Sequence, residues 1–205
     1  MTIIFLNGAG SSGKSQLAKA IQHCSPTPYL TLGIDSFIKM MPEVYFAFGE
    51  KAAEGFSFIP RIEDDKPAIA CEAGAFGKQI INAMPKVVKV LAESGFNLII
   101  DEVLLSDSTL RLYVEELAEH NVYFIAVNCS LAAMEEREIL RGDRAIGLSR
   151  DQILKVHTGI REYDFAVDTS TISSFTCARA IVDFIATTPN PTGFKRMTTL
   201  FKQIN

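Results

Sequence analysis

Short apolar runs punctuate the chain, and each stops at a polar or glycine-rich break. Ile3-Ile4-Phe5-Leu6 ends at Asn7-Gly8, Tyr29-Leu30-Thr31-Leu32-Gly33-Ile34 ends at Asp35, and Asn97-Leu98-Ile99-Ile100 ends at Asp101. Val122–Val127 follows, and Phe165-Ala166-Val167-Asp168 is a shorter run of the same kind. Between them, helical stretches are expected over Ala75–Glu93, Thr109–His120, Leu131–Arg141, Arg150–Val156 and Ser173–Ala186. After Gly13, Leu17, Ala20 and Ile21 mark one face of a further helix. Strands with near-continuous apolar faces, separated by helices, predict an α/β fold: a parallel sheet of about five strands covered by helices on both faces. Ligands of such sheets gather at the carboxyl ends of the strands. The loop at Gly8, Asp35 and Asp101 all lie just past those ends.

Two stretches break the rhythm. Pro42 to Pro67 contains Tyr45-Phe46-Ala47-Phe48 and Phe56-Ser57-Phe58-Ile59-Pro60 without clean periodicity. This insert, about residues 40–70, could line a pocket for a small hydrophobic substrate, or cover a sheet edge, or form an oligomer contact. Thr187-Thr188-Pro189-Asn190-Pro191-Thr192-Gly193 reads as a loop by its breakers. The pattern therefore implies one domain over residues 1–188 and a tail over 189–205, either frayed or docked as a helix.

The first break carries the clearest chemistry. Gly8-Ala9-Gly10-Ser11-Ser12-Gly13-Lys14-Ser15 spells G-x-x-x-x-G-K-S between a strand and a helix. Glycines let the backbone curl so that successive N–H groups face inward around phosphates. Lys14 supplies a point charge for the outer phosphates, the Ser15 hydroxyl can ligate Mg²⁺, and the helix dipole points at the anion. The motif predicts a P-loop nucleoside-triphosphatase fold that binds a nucleoside triphosphate.

Asp35 ends the strand expected beside that loop. There it can reach an acceptor hydroxyl in line with the γ-phosphoryl group and take its proton, or it can cap a helix before Phe37-Ile38-Lys39. Asp101 reads as a second Mg²⁺ carboxylate, with a turn acid as the competitor. Glu102 beside it could meet substrate or solvent. Arg137, Arg141 and Arg144 fall at i, i+4 and i+7, one helical face if the helix persists; Gly142 more naturally ends it and makes a hinge. Basic residues on a hinged segment, about 137–150, suit a lid that closes over phosphates; a solvated charged face is the alternative. His23, His120 and His157 have no metal-ligand spacing and receive no role.

Composition narrows the partners. Among 205 residues, 24 acidic against 20 basic side chains give a net charge of −4, no general surface for nucleic acid. The four cysteines form no C-x-x-C pair, so a reducing cytoplasm is the expected setting. The chain starts without a basic leader, and no run approaches the roughly 18 apolar residues of a membrane span.

Taken together, these residues resemble the chloramphenicol phosphotransferase family of small P-loop kinases. The resemblance runs through Leu6-Asn7-Gly8 with Ser11–Ser15, Gly33-Ile34-Asp35-Ser36-Phe37-Ile38 with Met41-Pro42, and Ile99-Ile100-Asp101-Glu102-Val103. It continues in Arg137-Glu138 with Arg141–Gly147, and in Val156-His157, Tyr163-Asp164 and Val167-Asp168-Thr169. It implies ATP as donor, Mg²⁺ as cofactor, a hydroxyl of a small molecule as acceptor and Asp35 as general base. The Tyr45–Ile59 segment matches only loosely. Three functions stay open: a kinase for chloramphenicol or a similar aromatic alcohol, a kinase for another metabolite or sugar nucleotide, and an ATP-dependent switch. Asp35 and the arginines disfavour the switch, which needs no base facing an acceptor.

Overall fold

The computed structural model describes residues 1–142 and 145–204. In chain order its elements are β1 (Ile3–Asn7), α1 (Lys14–Cys24), β2 (Tyr29–Gly33), α2 (Ile34–Ile38), β3 (Phe46–Ala47), β4 (Phe56–Glu63), β5 (Lys66–Ala73) and α3 (Ala75–Glu93). Then come β6 (Asn97–Glu102), α4 (Asp107–Glu116), β7 (Val122–Asn128), α5 (Leu131–Arg141), α6 (Leu148–Ile153), β8 (Phe165–Asp168), α7 (Ser174–Thr187) and α8 (Gly193–Gln203). Five strands form one parallel sheet in the order β2-β6-β1-β7-β8.

The alternation of strand side chains builds a core on each face. Ile3 and Phe5 pack with Met84 and Val88 of α3, Leu110 and Val114 of α4, and Met197 of α8. Ile4 and Leu6 pack with Leu17 and Ile21 of α1 and with Ala178 and Ile181 of α7. Asp101 on β6 pairs with Leu6 on one side and with Gly33 on the other. The carboxyl ends of β1, β2 and β6 are therefore level, and each feeds one chemical group into the same edge.

Several boundaries differ from the sequence pattern for local reasons. β2 stops at Gly33, where a Cβ would lie 1.9 Å from the Asp101 carbonyl oxygen, and α2 starts at once. The helix expected over Thr109–His120 begins instead at Asp107, because the Ser106 side chain caps the Thr109 amide at 3.2 Å. α6 also starts earlier than expected, after Gly147 turns the chain at φ 101°.

The aromatic insert is a small sheet of its own, in the order β3-β4-β5. β4 and β5 form an antiparallel hairpin whose turn residues Asp64 and Asp65 have φ of 50° and 59°, the backbone a two-residue hairpin loop requires. Its rings meet each other: Phe58 contacts Phe46 at 5.2 Å and Phe48 at 5.8 Å between centroids, while Tyr45 meets Phe76 of α3 at 5.3 Å. The last residues are a docked helix, not a frayed tail. Asp164 Oδ1 accepts the Thr192 and Gly193 amides at 2.7 and 2.8 Å. Phe194 then reaches Phe124 at 5.5 Å and Phe5 at 5.7 Å in the central core. No helix of the described residues is long and apolar enough to cross a membrane.

Candidate active site

The loop from Gly8 to Ser15 is shaped by its own glycines. A Cβ on Gly8 would lie 2.6 Å from the Val127 carbonyl oxygen, and Gly13 takes φ 88° just before α1. Three side chains from distant elements brace the loop from outside. Thr169 Oγ1, past β8, donates to the Ser12 carbonyl at 2.6 Å. Arg137 of α5 donates to the Ser11 carbonyl at 3.4 Å and to the Thr169 carbonyl at 2.6 Å. Gln152 of α6 accepts the Gly10 amide at 2.6 Å through Oε1. The Ser11 and Ser12 hydroxyls are buried and make no hydrogen bond within the described residues. Two such groups beside backbone N–H donors fit an oxyanion.

Lys14 and Ser15 open α1 and meet Asp101 at the end of β6. Ser15 Oγ donates to Asp101 Oδ2 at 2.7 Å, and Lys14 Nζ lies 3.7 Å from Oδ1 while donating to the Ala9 carbonyl at 2.8 Å. One hydroxyl and one carboxylate are the protein ligands that a phosphate-bound Mg²⁺ commonly takes. No group of three metal-ligating side chains occurs among the described residues, so a metal held by protein alone has no candidate site among them.

Asp35 lies inside the first turn of α2, exposed; the N-cap position belongs to Gly33. Asp35 lines a cavity of about 870 Å³ together with Lys14, Ser15, Asp101, Arg137 and Arg141. Arg141 is the last residue of α5, which Gly142 ends at φ 65°. Arg144 falls outside the described residues. Ala9 and Gly10 are buried in the loop and do not line the cavity.

Glu102 is buried from solvent and is not among the residues that line the cavity of Asp35. It is 4% exposed, accepts the Tyr113 hydroxyl at 3.1 Å, and burial pushes its carboxyl up to about 8. Asn7, buried behind the loop, donates to the Val156 carbonyl at 2.9 Å and to the Tyr163 hydroxyl at 2.6 Å, and accepts the Leu104 amide at 2.9 Å. Tyr163 shares a 2.8 Å hydrogen bond with His157 Nδ1, a histidine to which spacing assigned nothing. Burial lowers the His157 pKa and raises that of Tyr163 to about 12, so the pair is neutral. Asn7 and Thr169 lie in segments that carry the family resemblance but had no role assigned, and Gln152 belongs to no motif; only the fold brings the three to the loop.

The family model described as "Chloramphenicol phosphotransferase-like protein" matches residues 1–186. The chain belongs to that family. Two Mycobacterium tuberculosis proteins, from strains CDC 1551 / Oshkosh and H37Rv, provisionally named O-phosphotransferases, are each 26% identical over 196 residues. The match covers 95% of this chain and 87% of theirs. Among solved structures, the Mycobacterium tuberculosis APS kinase CysC, complexed with AMPPNP and APS, superposes with a TM-score of 0.61 at 14% identity, over 90% of this chain and 97% of that one. A Sinorhizobium meliloti gluconokinase gives 0.55 at 19% identity, over 100% and 97%. A Deinococcus radiodurans tunicamycin resistance protein gives 0.55 at 14%, over 92% and 96%. At these identities the chloramphenicol phosphotransferase-like chain shares their fold, that of P-loop kinases.

Proposed function

We propose that this protein is an ATP-dependent O-phosphotransferase that moves the γ-phosphoryl group to a hydroxyl of a small molecule. The observation that carries the reading is the convergence of Lys14, the Ser15–Asp101 pair, Asp35, Arg137 and Arg141 on one cavity. Each supplies a different requirement of phosphoryl transfer, and family membership supports the same class of reaction.

The Gly8–Ser15 loop holds the triphosphate through its backbone N–H groups and the Ser11 and Ser12 hydroxyls. Ser15 and Asp101 hold Mg²⁺, which when bound neutralises phosphate charge. Lys14 exchanges its Ala9 carbonyl for the outer phosphates. The acceptor oxygen forms a bond to the γ-phosphorus as the bond to the bridging oxygen breaks; ADP leaves with that electron pair. Asp35 takes the hydroxyl proton and orients the attacking oxygen. Arg137 and Arg141 face the charge that develops on the transferring group, where a fixed cation stabilises the transition state most.

A panel of hydroxyl compounds, headed by chloramphenicol, incubated with Mg·ATP and analysed for phosphorylated product by mass spectrometry tests the reading. Stoichiometric product and ADP are expected from at least one acceptor. ATP hydrolysis unaffected by every acceptor, with no phosphorylated product, would contradict it.

A further inference from the structure

The cavity's walls bear on the acceptor. The aromatic insert, for which a pocket wall, a sheet-edge cover and an oligomer contact were all open, contributes no side chain to the cavity that holds Asp35, and no aromatic ring lines that cavity among the described residues. Its rings are engaged with one another and with α3. Two lysines line the cavity instead. Lys19 stands four residues after Ser15 on α1, and Lys39 four residues after Asp35, with the Lys39 amide donating to the Asp35 carbonyl at 3.2 Å. Residues four apart share a helix face. Each lysine thus sits one turn from a reacting-centre residue, Lys19 on α1 and Lys39 at the C-cap of α2.

Both lysines are exposed and line the cavity, and neither enters an ion pair among the described residues. Among the described residues the cavity is lined by five basic side chains against two acidic ones. Lys14, Arg137 and Arg141 serve the triphosphate, whose charge Mg²⁺ half cancels, so a positive excess remains with the donor bound. A cavity of one sign attracts ligands of the other and raises their local concentration.

Resting on the phosphotransferase reading above, we propose that the acceptor is a hydroxyl compound carrying an anionic group, phosphate or carboxylate, which Lys19 and Lys39 bind while Asp35 holds its hydroxyl.

The test titrates the Mg·ADP-loaded protein with matched neutral and anionic compounds: glycerol with glycerol 3-phosphate, glucose with glucose 6-phosphate, and chloramphenicol. Anionic members should bind at least about tenfold tighter than their neutral partners. Lys19→Gln and Lys39→Gln should each weaken that binding about fivefold, the scale of an accessible charge pair, without changing Mg·ATP affinity. Lys66→Gln, at the hairpin turn, should change neither. Equal or tighter binding of the neutral members or of chloramphenicol, anion affinity indifferent to both lysines, or no binding by any member overturns the proposal. Product analysis on the same panel separates the two claims. Phosphorylation of neutral compounds alone sinks the charge reading and spares the kinase; anionic binding without product does the reverse.

Discussion

Gln152 makes the most structural prediction. Its Oε1 accepts the buried Gly10 amide at 2.6 Å, across 142 residues of sequence, and so ties α6 to the first turn of the phosphate loop. Gln152→Leu keeps the approximate size and removes the acceptor. A buried donor left unpaired costs about 1–3 kcal/mol. In a chain of this size each kcal/mol moves the melting temperature by about 2–4 °C, so a fall of about 2–12 °C is expected. If the loop relaxes to reach water, the stability loss shrinks and Mg·ADP affinity falls instead, because the loop no longer rests in its binding shape. Gln152→Glu separates the effects. It retains an acceptor for Gly10 and should preserve the melting temperature better than leucine does, while its charge weakens nucleotide binding in a salt-dependent way. Scanning fluorimetry and calorimetric Mg·ADP titration on the two variants read both quantities. Parental stability together with parental nucleotide affinity in Gln152→Leu would refute the brace.

Arg141→Ala should lower kcat more than it raises the KM for ATP, since the arginine is assigned to the transition state; a pure KM effect in steady-state kinetics would make it an ordinary phosphate contact. Glu102 sets a pH dependence: its carboxyl titrates near 4.5 when unfolded and about 8 when folded, so the folded protein holds the extra proton between these values. Stability should fall as pH rises through that window, by at most a few kcal/mol at about 1.4 per unit, and level off above it. Glu102→Gln should flatten the profile in thermal melts with EDTA, and an unchanged slope would contradict the assignment. Phe194→Ala should cost about 3–5 kcal/mol in denaturant unfolding, as expected for a core aromatic, whereas a loosely attached tail would lose almost nothing.

The main sheet was legible because its strands are short apolar runs with sharp polar ends, and the phosphate loop because its motif sits between strand and helix. The hairpin was not. Pro60 and Pro67 look like strand breakers, yet both lie on the two-stranded arm, and the turn at Asp64-Asp65 lacks the glycine that usually marks one. Asp35 was found, but one element too early: the strand expected to run through Ile34 stops at Gly33, because the close approach of β6 leaves no room for a side chain there. Residues 189–205 stayed open between a frayed tail and a docked helix, because breakers precede α8 and Lys195, Arg196 and Lys202 lie on its exposed face. Phe194, Met197 and Phe201, three and four apart, were the signal of a buried face. The long-range brace from Gln152 leaves no trace in periodicity, since a lone glutamine acquires meaning only from the loop it meets.

The central claim is that Asp35 takes a proton from an acceptor hydroxyl, and Asp35→Asn tests it most directly. The amide keeps the shape and removes the basicity, so ATP affinity should change little and the melting temperature should hold or rise slightly. Single-turnover transfer to an acceptor found in the product screen should fall by about 10²–10⁴-fold, the range for losing a positioned acid–base group. Transfer at close to the parental rate by Asp35→Asn would contradict the account.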